Sequence, residues 1–263
     1  MLEVRSVLKR FGGATVVDDA SLSVAAGGII GLIGPNGAGK TTLFNLIAGS
    51  IAPSSGKIFL NGAEINAERS HRRINRGLGR TFQIPRPFSE MTILDNMLTA
   101  AQAQSGERMF ATWFTPGRVA REERINIDKA MAWLEFLGLA RLAQEPARVL
   151  SGGQRKLLEL GRVLMADPSI ILLDEPGAGV NPTLLEAIIE RISEINRRGV
   201  TFFIIEHNMD LVARLCRQVY VMSAGRIIFN GTPDEIINEP AVIETYLGAA
   251  VEPGAFGRDN LHF

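Results

Sequence analysis

One segment constrains the fold of this chain more than any other: a glycine-rich loop that directly follows a short apolar run. Residues 28–34 are aliphatic or glycine, and residues 34–41 read GPNGAGKT. Glycine, four residues, glycine, lysine and threonine is the pattern of a loop whose bare backbone N–H groups surround phosphate oxygens between a strand and a helix. A purely structural turn would not need the lysine and the hydroxyl. The sequence therefore predicts a buried strand, a phosphate-binding loop and a helix over 41–48.

Each part of this loop has a predicted task. The ammonium group of Lys40 would reach the β- and γ-phosphates of a nucleotide, and the hydroxyl of Thr41 would bind Mg²⁺. The N-terminus of the following helix adds partial positive charge beside the phosphates. The residues that we expect to bind the nucleotide are Gly34, Pro35, Asn36, Gly37, Ala38, Gly39, Lys40, Thr41 and Thr42.

A second apolar run delivers two carboxylates. Residues 170–175 read IILLDE, so Asp174 and Glu175 stand at the C-terminal end of a predicted strand, where open α/β sheets bind ligands. Two acids after a strand are, by themselves, more often a solvated turn. Beside a phosphate-binding loop, we interpret Asp174 as a Mg²⁺ ligand. Glu175 would take a proton from the water that attacks the γ-phosphate.

The order of the segments predicts an α/β fold. A third apolar run spans residues 200–206. Between the second and third runs, aliphatic residues recur at helical spacing, with Asn181 expected as the N-cap and Pro182 as the first helical residue. Residues 93–165 have helical periodicity without strand patterns, including an apolar set at Trp133, Leu134, Leu137 and Leu139. The segments that favour antiparallel strands or hairpins are 20–24, 57–60 and 219–229. We expect a parallel core sheet, antiparallel strands beside it and an inserted helical lobe.

Bulk composition excludes several classes of protein. Lys plus Arg and Asp plus Glu number 28 each, so no net charge attracts nucleic acid. The single cysteine, Cys216, has no disulfide partner and favours the cytosol. No apolar run approaches the roughly 20 residues of a membrane span, and we find no secretory signal. The densest positive run, 69–80, lacks interleaved aromatic residues, so we interpret it as a solvated helix face rather than a nucleic-acid patch.

Residues 150–154 read LSGGQ, and Ser151 with Gln154 forms the capping-box pattern that opens a helix, here expected to run to Met165. Glycine costs roughly 1 kcal/mol relative to alanine inside a helix, so Gly152 and Gly153 need a further reason. An anion approaching bare, exposed backbone would supply one. Both interpretations can hold together.

The order of these three motifs resembles the nucleotide-binding subunit of ATP-binding-cassette (ABC) transporters over about residues 1–248. The resemblance implies an α/β fold: a P-loop NTPase, RecA-like core (1–83 and 166–230) with an antiparallel β-subdomain and an inserted helical subdomain (84–165). Residues 249–263 would form a C-terminal tail without an assigned role. It also implies a head-to-tail dimer with a second ABC ATPase subunit, identical or not. ATP would then lie between the phosphate loop of one subunit and Ser151, Gly152, Gly153 and Gln154 of the other.

Further positions match the family's pattern. Phe11 fits the aromatic residue that stacks on adenine, supported by Val16, although an aromatic at the solvent edge of the core is the alternative. Gln83 fits the glutamine that contacts Mg²⁺ and the attacking water; without the resemblance it would be assigned to the surface. His207 follows the third strand, where the family has a histidine that contacts the γ-phosphate, although a lone histidine is usually structural.

The loop after Glu175 departs from the commoner family pattern, because Asn181 stands where an aspartate usually makes a contact across the dimer. Asn181 can still cap its helix. Residues 174–182, 80–88 and 206–209 are similar to ATPases of branched-chain or hydrophobic amino-acid importers. Lipopolysaccharide-export ATPases are also similar after Glu175 and are the alternative.

The resemblance further implies a peripheral protein on the cytoplasmic face of the plasma membrane. It would bind transmembrane permease subunits through residues 84–91 and serve a solute-binding protein indirectly, with no nucleic-acid partner. Two other classes stay open: a soluble ABC ATPase not coupled to transport, and a nucleotide sensor without turnover. The absence of a second cassette argues against the first, and the presence of Glu175 and His207 argues against the second.

Overall fold

Two β-sheets lie against each other in the computed structural model, which describes residues 1–81, 87–102, 104, 116–240 and 242. The first sheet is antiparallel, has the order β2-β1-β4-β5, and consists of β1 Leu2–Phe11, β2 Ala14–Val24, β4 Ser55–Leu60 and β5 Ala63–Glu64. The second sheet has the order β10-β9-β3-β8-β7-β6 and consists of β3 Ile29–Ile33, β6 Leu78–Arg80, β7 Ile170–Asp174, β8 Thr201–Ile205, β9 Gln218–Ser223 and β10 Arg226–Gly231. Its neighbours from β6 to β9 are parallel, and β10 adds an antiparallel edge.

The helices connect these strands and cover the second sheet. They are α1 Lys40–Ala48, α2 Ser70–Ile74, α3 Ile93–Leu98, α4 Pro116–Phe136, α5 Gly152–Leu164, α6 Pro182–Arg197, α7 Met209–Leu215 and α8 Pro233–Asn238. Between β6 and β7 the described residues form helices and turns, with only an isolated bridge between Thr92 and Pro146. Within the part of the chain that the structure describes, every helix is too short or too polar to cross a bilayer.

Successive side chains of the central strands pack alternately into two separate hydrophobic clusters, one on each face of the second sheet. Leu172 of β7 packs with Phe44 of α1 and with the antiparallel sheet, whereas Ile171 and Leu173 pack with α5 and α6 on the other face. Successive residues of a strand point to opposite faces, so a strand buried on both sides is apolar throughout. The same alternation directs Asp174, two residues after Leu172, to the α1 side of the sheet.

The three predicted core strands, the hairpin around Ala224 and the N-cap at Asn181 are confirmed, with strand ends differing by one residue. Strand β2 begins at Ala14, six residues before the predicted segment at 20–24. Leu137 and Leu139 are buried as expected, but they follow the end of α4 rather than continuing its face.

The interpretation of the positive run over 69–80 as a solvated helix face is wrong for two of its residues. Arg73 is only 1% exposed, and its guanidinium donates to four backbone carbonyl oxygens, those of Leu46, Ile47, Ile65 and Glu68. Arg80 lies on β6 and its side chain is 12% exposed. Both positions are buried by segments distant in sequence, which a local charge pattern does not reveal.

Candidate active site

The predicted phosphate-binding loop joins the end of β3 to the start of α1. Gly34 (φ 151°) and Gly39 (φ 101°) have positive φ, and a Cβ atom at Gly34 would lie 2.0 Å from the carbonyl oxygen of Met222. No larger residue fits there, because both the backbone conformation and the close approach require glycine. Gly39 is the N-cap of α1 and supplies no capping side chain. The first N–H groups of α1 are therefore presented as donors to an anion.

Lys40 is already directed into this loop. Its side chain is 6% exposed, and Nζ donates to the carbonyl oxygens of Gly34 (2.7 Å) and Pro35 (2.9 Å). Burial lowers the pKa of Lys40 from its ordinary value, and the nearby carboxylates of Glu175 and Asp174 oppose that shift. The ammonium group thus lies at the centre of the loop, where a phosphate can replace its carbonyl partners.

Asp174 ends β7 beside the loop, as its position in the strand predicts. It is 4% exposed, and Oδ2 lies 3.5 Å from Arg80, which also donates to Asn45 Oδ1 at 2.7 Å. Burial raises the pKa of Asp174, while Arg80 opposes this. Its other oxygen, Oδ1, is buried and has no hydrogen-bond partner. A buried carboxylate oxygen needs a partner, and a hard cation is one that carboxylate oxygens bind well.

Glu175 and His207 meet in the structure, although 32 positions separate them in sequence. Nε2 of His207 lies 2.9 Å from Oε1 of Glu175, and their side chains are 39% and 16% exposed. Glu175 has a φ of 50°, which turns its side chain away from the direction of the strand. The carboxylate and the imidazole therefore face the phosphate loop together.

The phosphate-binding loop, Glu175 and His207 surround one cleft of about 270 Å³. The described residues that line it are Val16, Asn36, Gly37, Ala38, Gly39, Lys40, Thr41, Thr42, Glu175 and His207. All of these residues are candidates named from the sequence, and the structure brings them together in this cleft. Phe11 is 49% exposed at the end of β1, with Lys9 Nζ 5.0 Å from its ring centroid, so it is not a core residue. Gln83 lies outside the described residues.

Two residues that sequence reasoning missed hold the loop after Glu175. Lys156 of α5 donates to the carbonyl oxygens of Glu175 (2.8 Å), Pro176 (3.1 Å) and Ala178 (2.7 Å). Glu206, 3% exposed, accepts from the backbone N–H of Gly177 at 2.6 Å. A charged residue at the end of an apolar strand was the available signal, because buried charges are nearly always paired.

The predicted capping box at Ser151 is confirmed, with Ser151 Oγ accepting from Gln154 N and Gln154 Oε1 accepting from Ser151 N. The expectation that both glycines are exposed for an anion is wrong for Gly153. Gly153 is buried, and an added Cβ would lie 1.9 Å from Cδ2 of Leu184, so packing explains it. Gly152 is exposed, with open space around it. Among the described residues lining the cleft, none comes from this segment.

Comparison with known proteins gives consistent matches. The family described as ABC transporter matches residues 17–178, and the family described as branched-chain amino acid ATP-binding cassette transporter matches residues 226–252. A protein of Archaeoglobus fulgidus named probable branched-chain amino acid transport ATP-binding protein LivG is 41% identical over 249 residues, covering 95% of this chain and 96% of the relative.

Two crystal structures are similar over nearly the whole chain. A nucleotide-free ATP-binding cassette from an ABC transporter has a TM-score of 0.82 at 37% identity, covering 94% of this chain and 98% of the other. The ADP conformation of MJ1267, an ATP-binding cassette of an ABC transporter, has a TM-score of 0.80 at 36% identity with the same coverage, 94% and 98%. The two-sheet architecture is thus that of an ABC cassette, a P-loop NTPase.

Proposed function

The chain belongs to the ATP-binding subunits of ABC transporters, and from this premise we propose that it hydrolyses ATP to power the uptake of branched-chain amino acids. The observation that carries the proposal is the cleft in which Lys40, Glu175 and His207 converge beside a helix N-terminus. The cleft thus brings together a phosphate-binding lysine (Lys40), a base (Glu175) and a second polar side chain (His207). Phosphoryl transfer to water requires these parts.

Substrate binding uses the loop and its lysine. The γ- and β-phosphates enter the space lined by residues 36–42, where backbone N–H groups and the N-terminus of α1 donate to them. Lys40 exchanges the carbonyl oxygens of Gly34 and Pro35 for phosphate oxygens, so a buried ammonium gains an anionic partner. Phe11, half-exposed at the end of β1, stacks on the adenine, with Val16 beside it.

Glu175 acts as the base in hydrolysis. Its carboxylate accepts a proton from the attacking water as the oxygen bonds to the γ-phosphorus, and ADP leaves. His207, 2.9 Å from Glu175, contacts the γ-phosphate and holds the carboxylate in place. Gln83, which follows β6, is proposed to orient the same water and to contact the metal.

The site fits Mg²⁺, which proteins usually hold through one or two side chains together with substrate phosphates. Asp174 Oδ1 is a buried carboxylate oxygen without a partner, and Thr41 is exposed at the start of α1. These two residues, with Gln83, would hold the ion. When bound, Mg²⁺ neutralises charge that develops on the phosphate oxygens.

A second cassette completes the site. Ser151 and Gly152 are exposed and do not line the cleft of their own chain, so they are free to bind the ATP of a partner, with Gln154 beside them. Asn181 accepts from Leu184 N at 2.9 Å and caps α6, which supports a local role for it. Closure around ATP and reopening after hydrolysis would drive permease subunits docked near residues 84–91, on the cytoplasmic side of the membrane.

The cargo assignment is supported by the match at residues 226–252 and by the LivG relative, which favour amino-acid import over lipopolysaccharide export. We would reconstitute the chain with the permease and solute-binding proteins of a branched-chain amino acid importer, and measure labelled leucine uptake with ATP. Uptake should require ATP and disappear in Glu175→Gln. A complex that hydrolyses ATP but moves no branched-chain amino acid would refute the cargo, and one without hydrolysis would refute the enzyme.

A further inference from the structure

Glu206 is a buried carboxylate that the hydrolysis steps above do not use. It directly follows β8 and precedes His207, and its side chain lies between two loops. Oε2 accepts from the backbone N–H groups of His207 (2.8 Å) and Asn208 (3.0 Å), and Oε1 accepts from Gly177 N (2.6 Å). Both oxygens are therefore engaged by backbone donors, on opposite sides of the side chain.

These bonds join the two segments that carry the reacting groups. Gly177 lies two residues after Glu175, and a Cβ atom at Gly177 would lie 2.8 Å from Glu206 Oε1, so the loop passes in direct contact. The other side of this loop is held by Lys156, which binds three of its carbonyl oxygens. The loop after Glu175 is thus held by Glu206 through the backbone N–H of Gly177, and by Lys156 of α5 through three backbone carbonyl oxygens.

We propose that Glu206 is a positioning residue for ATP hydrolysis, tying the Glu175 loop to the His207 turn so that the two side chains stay in contact. Hydrogen bonds to a charged acceptor are stronger than neutral ones, and three of them from main chain leave little freedom to either loop. The contact it maintains is the 2.9 Å approach of His207 Nε2 to Glu175 Oε1. The inference rests on the proposed function and adds a residue to its machinery.

Glu206→Gln tests this sharply, because the amide cannot satisfy both sides. The three main-chain groups that bond to the Glu206 carboxylate are N–H donors on both of its oxygens, so the new NH₂ group faces a donor whichever way the amide is turned. One loop is released while the side-chain volume is kept. A misplacement of about 1 Å can cost about 10²-fold in rate. We expect kcat to fall by about 10- to 100-fold, with the Kd for ATP unchanged because the phosphate loop is not touched.

The matched control is Thr201→Val, at the opposite end of the same strand. Thr201 is buried, and its hydroxyl accepts from Gly27 N at 2.9 Å, so this variant also removes an acceptor from a backbone N–H, here in a partly buried hydrogen bond. It should lower the melting temperature without changing kcat. Gly177→Ala is the second variant, since its Cβ displaces the same contact without removing the carboxylate, and it should lower kcat with Kd unchanged.

The assay compares variants in the transporter complex, with kcat, ATP affinity and melting temperature measured for each. Adding Glu206→Gln to His207→Ala should lower kcat no further, because the contact to be positioned is already lost. Wild-type kcat in Glu206→Gln, or in Gly177→Ala should the first variant not fold, would overturn the inference and leave the proposed function intact. Multiplying effects in the double variant would also overturn it. A wild-type complex without ATPase activity would refute both.

Discussion

Arg73 allows a quantitative prediction about how the phosphate-loop helix is held. Its guanidinium donates to the carbonyl oxygens of Leu46 (2.8 Å) and Ile47 (2.6 Å), at the C-terminal end of α1, and to those of Ile65 (2.7 Å) and Glu68 (2.9 Å). The last carbonyls of a helix have no partner within the helix, and a cation there also interacts favourably with the helix dipole. Arg73→Met keeps an unbranched apolar stem and removes all four bonds.

The magnitude follows from the burial of the acceptors. Bonds to Leu46, Ile47 and Ile65 are buried, whereas the bond to Glu68 is partly exposed. Leu46 O also accepts from Gly49 N, and Ile65 O also accepts from Glu68 N, so Ile47 O is the buried acceptor that the substitution leaves without a donor among the described residues. A buried acceptor without a donor costs about 1–3 kcal/mol, and each bond lost from an acceptor that keeps another donor costs less. We expect the free energy of unfolding to fall by about 2–4 kcal/mol.

Arg72→Met is the matched control, because Arg72 is exposed on the same short helix. Its effect should be within about 0.5 kcal/mol. Urea unfolding measures both free energies, and at about 2–4 °C per kcal/mol the melting temperature of Arg73→Met should drop by roughly 4 °C or more. ATP affinity of the folded variant should be unchanged, since the loop is at the other end of α1. Equal stability of the two variants would refute the reasoning.

Three further predictions concern other buried positions. Gly153→Ala should lower the free energy of unfolding by about 1–3 kcal/mol through its clash with Leu184, and adding Leu184→Ala should reduce that penalty. Gly152→Ala meets open space and should not destabilise the protein. Thermal unfolding checks all three variants. Burial lowers the pKa of Lys40 below 10.5, so its ammonium is lost at lower pH and ATP affinity, measured by calorimetry, should fall as the pH rises towards 10.5. An affinity that is flat up to that pH would contradict it. Burial raises the pKa of Cys216 from 9.0 to about 12, so above pH 9.0 only the unfolded thiol ionises and stability should fall with rising pH; Cys216→Ala should lack this component in urea unfolding.

Local sequence patterns were enough for much of the fold and the site. The strand before Gly34, the helix after Asn181 and the capping box at Ser151 each depend on residues close together in sequence, and the structure contains all of them. Asp174 and Glu175 could be placed because a parallel sheet brings the C-terminal ends of its strands to one edge. The contact of Glu175 with His207 follows from the same rule.

The buried positions that the sequence analysis missed depend on contacts between segments distant in sequence. Arg73 belongs to a charged run that is typical of a solvent-exposed surface, yet the C-terminal end of α1 packs against it and its guanidinium is buried. Gly153 is required by Leu184, thirty-one positions away, and its own helix gives no sign of this. Lys156 and Glu206 hold a loop through its main-chain atoms, and residue identities do not reveal which backbone groups a buried charge binds. Such roles become visible only in three dimensions.

ATP hydrolysis by this chain depends most directly on Glu175 acting as the base beside an intact phosphate loop. The decisive measurement is single-turnover ATP hydrolysis with Mg²⁺ by Glu175→Gln, alongside ATP affinity. Glu190→Gln, an exposed acid on α6, serves as the control. We predict that Glu175→Gln binds ATP as tightly as the wild type and retains it intact, with turnover reduced by about 10²–10⁴-fold. Hydrolysis at the wild-type rate in Glu175→Gln would contradict the assignment of the base and with it the mechanism.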